Sequence, residues 1–472
     1  MATARMTANA SAATSGAGNR NGGVSANTTG AVSANPTGAV VGNTSASLAV
    51  GTAGTPSLPV HGTRGEVLRI LRFLKGELRP RGRLLTPFNV IAGGLILASA
   101  VILYFRFYLG LGAVTNLSQE FPWGIWKAFN VVTGVAFAGG AYVVTFMVYV
   151  LRMEKYHPIV RVTVLNGLLA YSFYAGALLL ELGRPWNVIN PIIGNSFGFS
   201  SVLFLVAWHF MLYMMAQFVE FSPAAAEWLK LERLRKTLAA MTLGAVVLGI
   251  TLSTLHQSGL GALFLMARDK IHPLWYTEYI PILFLISSIF AGLSMVIFEG
   301  SISRKVFQHR VGTDLRRSHD SIVMGLARIC AGAMFVYLFM QLLVFIHEQR
   351  WSHLATGWGA WYGLEMLGFV ALPAALFVYG FRRSNLPLVR GAAVLTLVGI
   401  VLNRLNISLI AYNWFATVRY VPTWMEVVVS LGVISAQIWV FRWVINRMPV
   451  LSSGHSTDET ADREPDARAL AA

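Results

Sequence analysis

From Pro87 to Ile445 the chain alternates between long apolar stretches and short polar connections. Ten apolar stretches are read, at 87–109, 125–150, 160–181, 198–221, 238–265, 279–298, 321–347, 361–381, 389–410 and 424–445. Each is long enough, or nearly so, to cross a hydrocarbon core of about 30 Å as an α-helix. The pattern predicts an all-α polytopic membrane protein with ten transmembrane helices. Basic residues fall on every second connection: Arg152, Lys155 and Arg161; Lys230, Arg233, Arg235 and Lys236; Arg304, Lys305, Arg310, Arg316 and Arg317; Arg382, Arg383 and Arg390. The segment before the first stretch, Arg64 to Arg83, and the end of the last, Arg442 and Arg447, share that sign. The positive-inside rule then predicts ten helices with both termini cytoplasmic.

The ends of the chain read differently. Residues 1–60 are rich in Ala, Gly, Ser, Thr and Asn and nearly free of charge, too poor in apolar mass to fold alone. A disordered cytoplasmic tail is expected there, a basic membrane-surface segment at 61–86, the transmembrane domain at 87–446, and a flexible cytoplasmic tail at 447–472. No apolar core suited to a signal peptide stands near the start. Glycines at 134, 139, 140, 244 and 249 suit close helix packing in lipid.

Composition sharpens this picture. Charged residues make up 12% of the chain, about half the usual share in soluble domains. The single cysteine, Cys330, excludes an internal disulfide, a structural zinc site or an iron–sulfur cluster within this chain. The net charge of +16 is spread over the connections, with no aromatic-rich basic patch, so no nucleic-acid partner is expected. The lipid bilayer is the partner that composition implies.

Sorted by depth, the unusual polar residues gather on the side opposite the basic connections. Glu120, Trp123 and Trp126 precede or open the second span, and Glu181 ends the third. His256, Gln257 and Ser258 lie in the outer part of the fifth; His272 and Glu278 follow in the next outer connection. Arg404 and Asn406 lie in the outer part of the ninth, and Glu426 opens the tenth. Two-electron, two-proton quinone chemistry needs such a mixture: an apolar slot, a hydrogen-bonding group at each carbonyl, and a group that exchanges protons. Glu120 and His256 are the proton-handling candidates. Trp123, His209, Gln257, Arg404, Asn406 and Glu426 are the candidates for binding the ring, with Arg404 polarising a quinone oxygen or holding Glu426. Each residue also has a structural reading: an interfacial or capping role for Glu120, a helix-to-helix hydrogen bond for His256, an ion pair for Arg404 with Glu426. Glu220, Glu299 and Arg328, on the other side, are proton-path candidates that equally suit a snorkelling role. His209 and His256 lie on neighbouring spans at different depths, so haem is not expected. A metal site is not expected either.

Several of these stretches, in order, carry a family resemblance: Phe121-Pro122-Trp123-Gly124-Ile125-Trp126, Tyr156-His157-Pro158, Gly183-Arg184-Pro185, Ser253-Thr254-Leu255-His256-Gln257-Ser258-Gly259, His272-Pro273-Leu274-Trp275-Tyr276, Leu402-Asn403-Arg404-Leu405-Asn406 and Pro422-Thr423-Trp424-Met425-Glu426. The chain resembles the NrfD/PsrC family of integral-membrane quinone-interacting subunits. Within it the resemblance is to the HybB branch, the membrane subunits of periplasm-facing nickel–iron hydrogenases. It spans roughly residues 85–446. It implies two four-helix bundles, helices two to five and six to nine, flanked by the first and tenth. It implies a quinone site toward the periplasm, favouring Glu120 and His256, for menaquinone or ubiquinone. It implies a periplasmic ferredoxin-like iron–sulfur subunit as electron donor, together with the large and small subunits of a nickel–iron hydrogenase. Related subunits serve polysulfide reductases, sulfur-compound modules and complexes of the alternative complex III type, which stand as the nearest alternatives. A secondary transporter and a passive membrane anchor are alternatives of other classes.

Overall fold

The structure, a computed structural model, describes residues 63–79, 85–193, 201–307 and 313–451. The tail expected at 1–60 lies outside these residues, as does most of the one expected at 447–472. Ten helices are long and apolar enough to cross a membrane. A shorter helix, α1 (Thr63–Glu77), precedes them. The ten are α2 (Pro87–Leu109), α3 (Trp126–Val150), α4 (Glu154–Glu181), α5 (Val202–Trp228), α6 (Glu232–Ala267), α7 (Ile280–Val306), α8 (Arg316–His347), α9 (Gly357–Arg382), α10 (Leu386–Ile410) and α11 (Trp424–Ile445). The chain is an all-α polytopic membrane protein. Among the described residues the nearest approach to a sheet is one antiparallel bridge, Ile271 to Tyr412.

Local chemistry fixes the helix starts. Thr86 accepts from the Asn89 amide at 3.2 Å, and Pro87 takes the first position, where its missing N–H costs nothing. Asn385 caps α10 in the same way at 3.1 Å. Thr423 and Glu426 form a reciprocal capping box on α11. Several helices run past the stretches read from hydropathy, mostly at the basic end. α6 begins at Glu232 and α7 continues to Val306, because charged turns beyond the hydrocarbon remain helical in water.

α3 to α6 pack in a ring, as do α7 to α10. The two rings are the expected four-helix bundles. α2 packs on α11 at the side, and α11 in turn touches α3 and α4. Burial follows this plan: the spanning window of α3 is 83% buried and that of α2 is 17% buried. α3 is therefore central, and α2 presents its apolar surface to lipid.

The bundles meet where α3 crosses α7. A Cβ on Gly140 would stand 2.7 Å from the Gly292 carbonyl oxygen, so the backbones touch directly. Beside this contact the Tyr142 hydroxyl and Ser288 Oγ share a hydrogen bond of 2.9 Å. Gly244, by contrast, has nothing within 4 Å of an added Cβ. Gly140→Val is expected to destabilise the purified chain by about 1–3 kcal/mol, read as a lower thermal midpoint, while Gly244→Val stays near wild type. Equal midpoints for the two variants would show that the crossing tolerates a side chain.

Candidate functional site

The polar residues read as one outer group occupy three places. The first is a chamber inside the α3–α6 bundle. His256, on α6, is 3% exposed, and its Nδ1 lies 3.2 Å from the Val206 carbonyl of α5. The tautomer follows from that contact: Nδ1 carries the proton, leaving Nε2 as an acceptor. Nε2 is buried without a hydrogen-bond partner among the described residues. The Tyr171 and Phe210 rings flank the imidazole, at centroid distances of 5.6 and 6.0 Å. The Tyr171 hydroxyl and Ser253 Oγ are likewise buried and lie close to one another. A π-helical turn, Tyr171–Ala175, carries that tyrosine. Gln257 points the other way and donates 2.8 Å to the Val135 carbonyl of α3. His209, on α5, is partly exposed, with Nδ1 buried and unpartnered.

The second place is inside the α7–α10 bundle. Arg404 is 1% exposed. It donates 2.8 Å to Asn403 Oδ1 and 2.7 Å to Ser287 Oγ, and its guanidinium lies 3.6 Å from the Phe284 ring centroid. The expected ion pair with Glu426 is not formed. The carboxylate on this side is Glu365, on α9, which sequence reasoning passed over. Glu365 accepts from Trp275 Nε1 at 2.7 Å, Asn403 Nδ2 at 2.6 Å and Asn406 Nδ2 at 2.5 Å. Asn406 also accepts from Trp361 at 3.0 Å. The signal was available: Glu365 is the one carboxylate inside the apolar span Gly357–Arg382.

The third place is the rim at the end opposite the basic connections. Glu426 accepts from Tyr420 Oη at 2.5 Å and from the Thr423 amide at 2.8 Å, so its carboxylate is bound to the helix start, away from Arg404. Burial, and then the carboxylate it bonds, raise the Tyr420 phenol above its ordinary pKa. Glu120 is exposed, and its carbonyl accepts from Asn413 Nδ2. Trp123 stacks on Phe264, the centroids 4.5 Å apart. Glu181 is 3% exposed and stands 3.3 Å from the Lys127 ammonium. His272 lies among Trp275, His353, Trp358 and Trp414. Burial, His353 and Arg350 hold its pKa down to about 4, so it is neutral at pH 7.

The three proton-path candidates also stand apart. Glu220 lies on α5 with Oε1 buried and unpartnered among the described residues. Glu299 lines a cleft beside α7. Arg328 is exposed on α8, over the Phe381 ring at 5.3 Å. Hydropathy placed each residue on its helix but did not say which bundle that helix faces.

A family model described as polysulphide reductase, NrfD, matches residues 113–416. The chain is similar to a protein of Nitratidesulfovibrio vulgaris, 42% identical over 370 residues, covering 78% of this chain and 95% of the relative. It is similar to the probable Ni/Fe-hydrogenase 2 b-type cytochrome subunit of Escherichia coli, 30% identical over 377 residues, covering 78% and 94%. The menaquinone reductase integral membrane subunit of Nitratidesulfovibrio vulgaris is 25% identical over 385 residues, covering 72% and 86%.

Removing Glu365 strands three buried N–H donors. Glu365→Ala is expected to cost about 2–5 kcal/mol of stability, while Glu120→Ala stays within about 0.5 kcal/mol. Thermal unfolding of the two purified variants checks this, and a Glu365→Ala midpoint equal to wild type would count against the network.

Proposed function

The chain belongs to the NrfD family, and from that membership we propose that it is the quinone-reactive membrane subunit of a respiratory oxidoreductase. The observation that carries the reading is the chamber around His256. His256 Nε2 is buried there without a partner among the described residues, and the Tyr171 hydroxyl and Ser253 Oγ are buried in the same chamber. A buried polar atom without a partner costs about 1–3 kcal/mol unless something polar meets it. Aromatic walls and buried hydrogen-bonding groups together suit a quinone ring with its two carbonyl oxygens. The name of the Nitratidesulfovibrio relative supports menaquinone as the quinone; ubiquinone is the alternative.

In this reading the quinone takes two electrons and two protons to become the quinol. The electrons come from a periplasmic ferredoxin-like iron–sulfur subunit, since one cysteine builds no cluster here. The Tyr171 hydroxyl donates to one ring oxygen. His256 Nε2, an open acceptor, takes the hydrogen bond of the other ring oxygen once that oxygen is protonated, as it is in the quinol. Glu120, exposed at the rim, exchanges protons with the outer aqueous phase. Trp123 and Gln257 shape the chamber; Gln257 does so by fixing α6 against α3. His209 extends its polar lining toward α5. Arg404, Asn406 and Glu426 are reassigned to positioning roles, since each is already hydrogen-bonded elsewhere. Glu220 and Arg328 are the groups of that set proposed to line a proton route from the basic end; Glu299 faces a separate cleft.

The name of the Escherichia coli relative supports a nickel–iron hydrogenase as the catalytic partner. Another respiratory complex is the alternative, and the donor assay below separates them. The proposed location is the bacterial inner membrane with both termini cytoplasmic, and quinone is proposed as the redox group without haem.

The test is quinone reduction by the purified membrane complex, with hydrogen tried first as donor. His256→Ala is expected to lower quinone turnover by about 10²-fold or more, and Glu120→Gln by a smaller factor. Co-purification of the partner subunits and dye reduction upstream of the chain should be unchanged. Full quinone turnover in His256→Ala would move the site out of the chamber.

A further inference from the structure

At the basic end, between α4, α7 and α8, lies a cleft open to the surroundings along one side. Its walls are largely apolar, with Ile159, Val162, Val296, Ile322 and Leu326 among them. Its polar lining includes Thr163, Glu299, Ser303 and Arg304, the last two close to the end of α7, and His319 near the start of α8. His319 is 6% exposed, and its Nε2 is buried without a hydrogen-bond partner among the described residues. The imidazole stands over Gly300; a Cβ there would lie 3.8 Å from its Cε1. Three charged groups act on His319: Arg304, Asp320 and Arg390. Arg304 holds Asp320 at 2.7 Å, which cancels part of one charge. Arg390, in the first turns of α10, has its own Nε buried and unpartnered among the described residues.

Two occupants would explain ionisable groups in such a place. A water-filled proton inlet would use Glu299, also in the lining. The two arginines around His319 oppose that, since neighbouring cations disfavour an added proton. The same cations, two unpartnered nitrogens and an apolar interior favour an anion attached to hydrocarbon. Depth agrees: Arg304 and His319 lie in terminal turns, at headgroup level, and Glu299 lies about 7 Å deeper along α7, at the level of ester groups.

We propose that this cleft binds an anionic phospholipid from the leaflet at the basic end. The phosphate meets His319 and Arg304 within the field of Arg390, and one acyl chain fills the space between α4, α7 and α8. An anionic leaflet facing a basic protein surface supplies attraction on the order of 1 kcal/mol per cation, about fivefold in occupancy.

Native mass spectrometry of the full chain tests this, after exchange into mixed micelles with equal phosphatidylglycerol and phosphatidylcholine. The expected result is selective retention of phosphatidylglycerol. Arg304→Gln should lower its occupancy roughly fivefold, and His319→Leu should lower it by removing the buried unpartnered nitrogen. Gly300→Leu, which projects a side chain into the open cleft, should remove it, and excess inorganic phosphate should leave it in place. Equal retention of the two lipids, or retention unchanged in Gly300→Leu, would overturn the proposal. Displacement by inorganic phosphate would also overturn it, by showing a free-anion site.

Discussion

Inside hydrocarbon there is no water to take up a stray polar group, so every donor and acceptor at depth must find its partner within the protein. The architecture follows from that constraint. The π-helical turns in α3, α4, α9 and α10 loosen the helical ladder, and neighbouring groups repair it. Thr133 returns its hydroxyl to the Ala128 carbonyl, five residues back, at 2.9 Å. Gln257 crosses from α6 to the Val135 carbonyl. The Tyr142–Ser288 bond closes the seam between bundles beside the glycine contact. Packing alone brings α3 and α7 together; these bonds fix how they are turned.

The two bundles use related parts to opposite ends. On α5, Gln217 donates to Tyr213 one turn away at 3.0 Å; on α8, Gln341 donates to Tyr337 at 2.9 Å. Each pair faces a polar interior. In the α7–α10 bundle that interior is nearly closed on itself: both Glu365 oxygens accept, and Arg404 is held by Asn403, Ser287 and the Phe284 face. Arg404 Nε stays buried without a partner among the described residues, so this network is rigid but not fully satisfied. In the α3–α6 bundle His256 Nε2 is left open among the described residues. The contrast is one of degree: more buried polar atoms go unmet around His256 than around Glu365.

That contrast explains what the sequence could and could not yield. The ten spans were legible because hydropathy and loop charge are one-dimensional signals. So was the capping of α2 by Thr86 and Pro87. Depth was legible too, and placed His256, Arg404 and Glu426 on the same side of the membrane. Their separation into three places was not. A helix face is set by the phase of its turns, and a π-helical turn adds a residue and rotates everything beyond it. Asn403 and Arg404 precede such a turn in α10, and Asn406 opens it. Glu365 was visible as a lone carboxylate in an apolar span, but its three donors, Trp275, Asn403 and Asn406, lie far from it in the sequence and only the fold brings them together.

The rim at the end opposite the basic connections completes the argument for rigidity around the chamber. Asn413 adopts a positive φ of 44°, which lets its amide reach the Lys270 carbonyl at 2.6 Å while its side chain holds the Glu120 carbonyl. The His272 amide bonds the Ala411 carbonyl at 2.9 Å, and Arg350 ties down the carbonyls of Leu274 and Tyr276. Loops from both bundles and from the segment before α3 are thereby fastened to one another. His272, neutral at pH 7 within its aromatic cage, adds packing without adding a charge to bury. Trp123, which follows the fastened segment, is thus held against Phe264 at the end of α6, two to three turns beyond His256. A chamber whose histidine is unsatisfied needs such a frame, because a looser one would let Tyr171 or His256 turn to each other or to a nearby carbonyl. The rim keeps His256 Nε2 open by denying the helices the motion that would satisfy it.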